Sequence, residues 1–216
     1  INTHSYYSLR YGVVSPKDWI NFFKSQPWTH MALTDINNTS ACMTALYLLK
    51  DEPSKNAVVG VDFRNGVQQK YVVIAKNWEG FKQINNHLSW HLAHKVKFSN
   101  KAPVKRLKDT WVIYNYHENL DVNLLKSNEL VGISPELITS LHIHKIRTHE
   151  HKLVAMATAS FRGKRDFNAH RLLRAIDENT LLSKLSKNKE APETELYLND
   201  KQLRNSYSEY PHLLRN

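Results

Sequence analysis

The sequence predicts an α/β protein with mainly parallel strands, and three observations support this fold class. Strand-like and helix-like runs alternate along most of the 216 residues. Several strand-like runs, such as residues 71–75, are continuously apolar, as strands buried on both faces are. The length suits one domain, and we find no internal repeat and no low-complexity linker. The number of strand–helix units predicts an irregular TIM-like barrel.

The first half contains the best-defined elements. Residues 1–5 form a short strand that ends in polar residues. A helix then begins at Pro16, because Ser15 supplies the N-cap and Asp18 closes a capping box. The pair Asn65-Gly66 predicts a hairpin turn. The other predicted elements of this half are strands over residues 30–35, 57–64 and 69–76, and helices over residues 38–52 and 77–95.

The second half repeats the alternation with shorter units. Its last helix covers residues 164–179, and the tail from residue 198 onward is polar and helical. Residues 121–127 separate the first two strands of this half. The remaining predictions are strands over residues 110–116, 129–134 and 152–161, and a short helix over residues 135–141.

The net charge of +10 is the strongest signal in the composition. It favours a polyanionic neighbourhood, either nucleic acid or an acidic partner, and a solvated basic surface is the alternative. Cationic residues are dense between positions 145 and 174. One hypothesis is that they contact nucleic acid or a partner, and the commoner explanation is that they face solvent. These residues are Lys145, Arg147, Lys152, Arg162, Lys164, Arg165, Arg171 and Arg174.

Residues 141–152 contain four histidines, His142, His144, His149 and His151. Two histidines separated by one residue on a strand can direct both rings to one face, as a metal site requires. The lysines and arginine among them would repel a divalent cation, and Glu150 is the only acid. We therefore interpret the segment as a solvated basic loop.

Location is predicted from three negative features. The longest apolar runs are too short to cross a bilayer, and no charged-then-apolar leader opens the sequence. Cys42 is the only cysteine, so no internal disulfide can form. We expect a cytoplasmic protein without membrane contact.

The ends of the first three predicted strands carry a family resemblance. They are NTHSYYSLRYG, ALTDINNTSA and VVGVDFRNG. These stretches resemble the polymerase and histidinol phosphatase (PHP) domain at the N-terminus of the bacterial DNA polymerase III alpha subunit. Further similar stretches are AKNWEGFKQIN, FRGKRDFNAHRLLRAI and the tail from residue 198, whereas residues 95–150 are shorter and more divergent.

The resemblance covers nearly the whole chain in order. It implies an irregular (β/α)7-type TIM-like barrel with mainly parallel strands. It also implies that residues 1–216 form a single PHP domain, whose tail leads towards a polymerase body.

Catalytically active PHP domains hold a cluster of metal ions at the strand ends and hydrolyse phosphate esters. The family pattern places H-x-H at the first strand, D-H at the second, Glu at the third and D-x-H near the end, with further His and Cys ligands between them. Carboxylates balance the charge of clustered divalent ions, and imidazoles fix their geometry.

This sequence departs from that pattern at most positions. His4, Asp35 and Asp62 are retained, the last as a shorter replacement for Glu. The lost ligand positions are Asn2, Ile36, Thr158 and Ser160. We therefore expect no catalytic residue and no bound metal or other cofactor. A single zinc on the three retained residues is the alternative.

Asp35 and Asp62 should still point into the barrel mouth, where unpaired carboxylates are costly. We predict that a cation replaces the metal ions, with Arg10, Arg64 and Arg162 as candidates. Ordinary hydrogen bonding to backbone or water is the alternative.

The resemblance implies a catalytically silent domain that steadies a replicative polymerase and docks its separate proofreading exonuclease. The expected partners are the remainder of the alpha subunit, the exonuclease subunit, and DNA through the parent polymerase. That parent would be a DNA-directed DNA polymerase, a nucleotidyltransferase, but this chain alone should not synthesise DNA. The alternatives are a residual metal-dependent phosphoesterase or 3′–5′ exonuclease with a reduced metal set, and a nucleic-acid contact module.

Overall fold

The computed structural model of the chain describes residues 2–117, 120–143 and 145–215. The strands in these ranges are β1 (Asn2–Thr3), β2 (His30–Leu33), β3 (Asn56–Asn65), β4 (Gln68–Ala75), β5 (Thr110–Asn115), β6 (Glu129–Ile133), β7 (Leu153–Ala155) and β8 (Thr158–Ala159). The α-helices are α1 (Pro16–Ser25), α2 (Ser40–Leu48), α3 (Trp78–His94), α4 (Lys164–Asp177) and α5 (Asp200–Ser206). Short 3₁₀ segments occupy Val122–Leu124, Pro135–Ile143, Lys145–Lys152, Leu182–Lys184, Lys187–Lys189 and Pro211–Leu214.

The strands form a curled, mainly parallel sheet, which confirms the predicted α/β class. Six strands are ordered β2-β3-β4-β5-β6-β7, and only β4 runs antiparallel to its neighbours. A second, parallel sheet pairs β1 with β8. The N–H of Thr34 donates to the carbonyl of Thr3 at 3.0 Å, so β1 lies beside the β2 edge. The small sheet therefore lies beside the β2 edge of the large one, which curls into an irregular, TIM-like half-barrel.

The predicted strand over residues 152–161 is wrong as a single element. β7 pairs with β6, and after Met156 and Ala157 the chain changes partner, so that β8 pairs with β1. The N–H of Met156 still donates to the carbonyl of Ile133 at 2.9 Å. An apolar run cannot reveal this change, because Met156 remains buried although the partner strand differs.

Local sequence signals set several boundaries correctly. The Ser15 hydroxyl accepts the N–H of Asp18 at 3.0 Å, and Pro16 is the first residue of α1. Gly66 has φ 62° in the hairpin that joins β3 to β4, which is the left-handed region that glycine tolerates. Lys95, which directly follows the last residue of α3, adopts φ 54° and ends that helix.

The helices cover the outer faces of the sheet through apolar contacts. Ile20 and Phe23 of α1 pack with Leu33 and with the buried face of α2. α3 buries Ile84 and Leu88 against β3, β4 and β5. Each such side chain removed from water contributes roughly 1.5–3 kcal/mol.

The tail belongs to the packed body of the domain. Tyr207 and Leu213 are fully buried in the cluster that contains Ile133 and Leu141. The Tyr207 hydroxyl donates to the carbonyl of Ile133 at 2.7 Å. This polar contact satisfies the hydroxyl inside an otherwise apolar cluster.

The histidine-rich stretch forms 3₁₀ turns where an open loop was predicted. His142 and His151 are exposed, and Nε2 of His149 lies 3.0 Å from the Asn123 side chain. His144 lies outside the described residues. Within the described ranges, no helix is both long and apolar enough to span a membrane.

Candidate functional site at the barrel mouth

The strand register brings most of the predicted ligand positions to one end of the barrel. β1 pairs with β8 so that Asn2 lies opposite Thr158, and an isolated bridge places Ile36 opposite Asp62. His4 follows β1 directly, and its backbone N–H donates to the carbonyl of Ala159 at 2.9 Å.

Asp62 is the centre of this site. Its side chain is fully buried, and its Oδ2 has five nitrogen contacts. The distances to Oδ2 are 3.0 Å from His4 Nε2, 3.0 and 2.8 Å from Arg64 Nε and Nη2, 2.6 Å from Gln69 Nε2, and 3.1 Å from Asn2 Nδ2. Within the described residues, Oδ1 of Asp62 is buried and has no hydrogen-bond partner.

Arg64 is the cation that faces Asp62, which confirms the prediction of a replacement charge for this carboxylate. Burial alone would raise the pKa of the Asp62 carboxyl, but the Arg64 guanidinium and the His4 ring outweigh burial and hold that pKa well below its usual range. The other two candidates bind elsewhere: Arg10 pairs with Asp177, and Arg162 pairs with carboxylates of α1 and α4.

Two residues that the sequence did not predict for the site, Tyr11 and Glu195, complete the network. The Tyr11 hydroxyl accepts from Arg64 Nη1 at 3.0 Å and donates to Glu195 Oε2 at 3.1 Å. The Ser160 hydroxyl donates to Glu195 at 2.5 Å, and its oxygen lies 2.8 Å from His4 Nδ1. The result is a closed ring of hydrogen bonds through Asp62, His4, Ser160, Glu195, Tyr11 and Arg64.

Arg64 is the fixed cation of the ring. Ser160 donates its one proton to Glu195, and the Ser160 oxygen lies beside His4 Nδ1. His4 Nε2 faces the Asp62 carboxylate on the other side of the imidazole. The Arg64 guanidinium compensates the charge of that buried carboxylate directly.

The retained Asp35 belongs to a separate network. Its Oδ1 accepts the Ser5 N–H at 2.6 Å and the Ser8 hydroxyl at 2.7 Å, and its Oδ2 accepts the Ser5 hydroxyl at 2.8 Å. Burial raises the pKa of the Asp35 carboxyl, against the opposing effect of these bonds. The predicted cation is thus wrong for Asp35, and the alternative of ordinary hydrogen bonding holds because two serines lie within reach.

The lost ligand positions now hold neutral side chains that support the ring. The Asn2 amide donates to Asp62 and, at 3.2 Å, to the Thr158 hydroxyl. Its oxygen accepts the Thr34 hydroxyl at 2.7 Å. Ile36 is half-buried against an apolar cluster and offers no lone pair.

This donor set does not fit a metal cluster. Divalent ions need several anionic or imidazole lone pairs directed at one point. Here Oδ2 of Asp62 is occupied by N–H groups and a guanidinium, both His4 nitrogens face other residues, and Asp35 is turned towards Ser5 and Ser8. In the part of the chain that the structure describes, no three His, Cys, Asp or Glu side chains are arranged to hold an ion.

Two cavities that share part of their lining lie beside the ring. The larger, of about 460 Å³, is lined by Tyr116, Leu137 and Met156, and the smaller, of about 280 Å³, reaches Arg64 and Gln69. Both are bounded by Thr158 of β8, and by Glu195 and other residues of the segment 190–198. This segment crosses the barrel mouth. The segment is held there by Ser160 and Phe161, whose N–H groups both donate to the carbonyl of Glu195.

The cations proposed for nucleic-acid or partner contacts have different surroundings. Arg162 pairs with Asp166 at 2.7 Å and Asp18 at 3.2 Å, Arg171 pairs with Glu190 at 2.6 Å, and Arg174 pairs with Asp177 at 2.6 Å and Glu178 at 3.0 Å. Lys164 and Arg165 are exposed at the start of α4, and Lys152 Nζ donates to backbone carbonyls. The side chains of Lys145 and Arg147 lie outside the described residues.

Comparisons with known proteins give little further information. No family model and no curated protein matches the chain. Among solved structures, it is similar to a Bifidobacterium adolescentis protein proposed to be a metal-dependent phosphoesterase, with 10% identity, a TM-score of 0.36, and coverage of 96% of this chain and 94% of that chain. The site is therefore interpreted from its own residues.

Proposed function

We propose that this chain is a catalytically silent PHP-type barrel that serves as a structural and docking domain of a replicative DNA polymerase III alpha subunit. The observation that carries the silence is the buried pair of Asp62 and Arg64, 2.8 Å apart. A divalent ion could use this carboxylate only after the guanidinium had been displaced. That displacement would leave a buried, unpaired cation, which costs several kcal/mol.

The proposed silence also follows from the chemistry of phosphate-ester hydrolysis. Active members use metal ions to acidify a water and to neutralise the charge that develops in the transition state. In this chain the cavities are bounded by Glu190 and Glu195, and the guanidinium nearest to them already faces Asp62. Among the residues that line the cavities, no cation is therefore left free to neutralise the charge of a phosphate ester.

Ser160, His4 and Asp62 are bonded in the order of a hydrolase triad, but their surroundings do not suit that role. A triad serine needs a free hydroxyl beside bound substrate and a histidine that accepts its proton. Ser160 is fully buried, lines neither cavity and gives its proton to Glu195. The His4 ring is held between the Ser160 hydroxyl and the Asp62 carboxylate and lines neither cavity, so it is not placed beside a bound substrate.

The polymerase context is supported by the sequence resemblance, which extends in order over nearly the whole chain. The partners that this proposal names are the remainder of the alpha subunit, the proofreading exonuclease subunit, and DNA through the parent polymerase. Docking is tested by mixing the chain with the exonuclease subunit, and separately with the polymerase body, of the same replication system. Light scattering after gel filtration should detect a complex with at least one of them. Two clearly separate species in both mixtures would refute the docking role.

The silent character is tested by metal content and activity together. We expect the protein, purified without chelator, to contain substoichiometric metal by mass spectrometry. It should also leave a 3′-labelled oligonucleotide and a phosphate monoester intact when manganese or zinc is added. His4→Ala probes the mouth, and His142→Ala removes an exposed histidine as the matched control.

The alternative, a residual phosphoesterase or 3′–5′ exonuclease, predicts a different result. It requires about one ion per chain and metal-dependent cleavage, both lost in His4→Ala and kept in His142→Ala. Oδ1 of Asp62, which has no hydrogen-bond partner within the described residues, is the atom with which that ion would begin its coordination.

A further inference from the structure

The strongest concentration of positive charge lies in the segment from 95 to 108, which we name the basic strap. No Asp or Glu occurs between Glu79 and Asp109, so every charged residue of the strap is a cation. They are Lys95, Lys97, Lys101, Lys105, Arg106 and Lys108. All six are exposed.

The strap runs back along α3. It leaves the helix at Lys95 and ends beside the first two turns of the same helix, where Gln83 Nε2 donates to Asp109 Oδ2 at 2.6 Å. Gly80 lies so close to this point that a Cβ on it would stand 2.0 Å from the Asp109 carbonyl oxygen. Because α3 has 17 residues and a helix rises about 1.5 Å per residue, the strap extends over roughly 25 Å.

Buried anchors fix the strap and direct its cations outward. Phe98, Ala102 and Leu107 are buried in the cluster beneath it. The Asn65 side chain brackets Phe98, donating to its carbonyl at 2.8 Å and accepting its N–H at 3.0 Å. The N–H of Ala102 donates to the Tyr114 hydroxyl at 3.1 Å. The backbone of the strap is therefore already fixed, and binding of a ligand should cost little further conformational entropy.

The cations of the strap are not neutralised by any of the residues that the structure describes. Among the described residues, none of them forms an ion pair, and the adjacent Asp109 is engaged by Gln83. Lys70 adds a further cation, because its Nζ lies 2.7 Å from the Asn100 side chain in the middle of the strap. Burial, His91 and Arg106 together lower the pKa of His87 to about 4, so the field of the strap reaches the helix below it.

An exposed aromatic ring stands at the start of the strap. Trp90 is 48% exposed and stacks on His94, with ring centroids 4.8 Å apart. Trp111 follows the other end of the strap but shares a face of the sheet with Ile74, opposite the face that the strap covers, so it is not part of this surface. A line of cations combined with indole faces is the arrangement that binds single-stranded nucleic acid, because phosphates meet the cations and bases stack on the rings.

We propose that the basic strap and Trp90 bind single-stranded nucleic acid, with the phosphates along residues 95–108 and a base on the indole. An acidic protein would match the charge, but it would not use a stacked indole face at the end of a linear row of cations. The proposal goes beyond the function proposed above and does not depend on the polymerase context, because this chain itself makes the contacts.

The test is fluorescence anisotropy with a labelled oligothymidine across a salt series. The triple variant Lys97→Ala, Lys101→Ala and Arg106→Ala removes three strap cations. The matched control, Lys17→Ala, Lys184→Ala and Lys187→Ala, removes three exposed cations that have no ion pair among the described residues. Since single strands give a salt slope of about −0.7 per phosphate contact, the strap variant should flatten the log–log slope by about 2 and bind roughly tenfold more weakly at moderate salt. The control should change affinity less than about threefold, because the cations that it removes make fewer phosphate contacts.

Trp90→Ala separates stacking from charge. It should weaken binding by about tenfold, the order expected for one stacked base, and leave the salt slope unchanged. An oligomer of abasic sugar phosphates should bind wild type and Trp90→Ala equally well.

Three results would overturn the proposal. The first is no binding of the oligothymidine at low salt, and the second is an equal loss of affinity in the strap variant and its control. The third is competition by polyglutamate as effective as competition by unlabelled oligothymidine, which would assign the strap to an acidic protein partner. Circular dichroism of the variants should match wild type, because the three strap side chains make no internal hydrogen bond or ion pair among the described residues.

Discussion

Replacing Arg64 with methionine tests the centre of the site. The change keeps an apolar stem of similar length and removes the guanidinium, which donates twice to Asp62 and once to Tyr11. Asp62 would keep its contacts with His4 and Gln69 but lose the cation that chiefly compensates its burial. Breaking a buried pair on one side costs about 3–5 kcal/mol. At about 2–4 °C per kcal/mol for a protein of this size, Tm should fall by roughly 6–20 °C.

Urea unfolding followed by circular dichroism at pH 7 measures this loss. The control is Arg162→Met, since Arg162 also pairs with two carboxylates but its side chain is 47% exposed. Exposed pairs contribute about 0–1 kcal/mol, so the control should remain close to wild type. The double variant Asp62→Asn with Arg64→Met should be more stable than Arg64→Met alone, because no uncompensated charge then remains buried.

The result that refutes this reasoning is an equal free energy of unfolding for Arg64→Met and Arg162→Met. That outcome would mean that the Asp62 carboxylate is solvated or neutral in the folded protein. It would also remove the main argument against a metal ion at the mouth.

Three further predictions concern pH, backbone packing and the tail. The folded-state pKa of Asp62 is depressed, so the carboxylate stabilises the fold at pH values above its unfolded-state pKa of about 3.9. This stabilisation is lost as the pH falls towards the folded-state pKa. The urea midpoint should therefore decline between neutral pH and about pH 2. Gly80→Ala should lower Tm sharply, since its Cβ would stand 2.0 Å from the Asp109 carbonyl oxygen, whereas Gly163→Ala, with no atom within 4 Å, should change Tm little. Tyr207→Ala should lower the free energy of unfolding by about 3–5 kcal/mol, whereas Tyr207→Phe, which loses only a hydroxyl bond, should cost about 1 kcal/mol.

The elements with local signals were predictable from the sequence. The cap at Ser15, the turn at Gly66 and the long amphipathic run of α3 each depend on neighbouring residues only, and the structure places all three as predicted. The break after β7 was not predictable, because it arises where the chain exchanges one buried neighbour for another. Met156 and Ala157 at the break are apolar and Met156 is buried, so the hydrophobic pattern does not reveal which strand each residue pairs with.

The sequence predicts only those contacts of the site that join residues close together in the chain. Arg64 is two residues from Asp62 on one strand, and side chains at that spacing lie on the same face, so a cation beside this carboxylate followed from the sequence. Glu195 reaches Tyr11 across 184 positions through the fold-back of segment 190–198, and no local pattern indicates such a contact. The serine partners of Asp35 stand in the first strand end, but serine is too common near turns to identify them in advance.

The counter-charge of Asp62 is covalently part of the chain. A bound ion is acquired after synthesis, exchanges with its surroundings and can be withdrawn by a competing ligand, so a fold that depends on it varies with supply. Arg64 is incorporated by the ribosome in fixed proportion to its partner and cannot be diluted or chelated. Folding of this barrel should therefore proceed equally well in metal-starved and metal-replete cells.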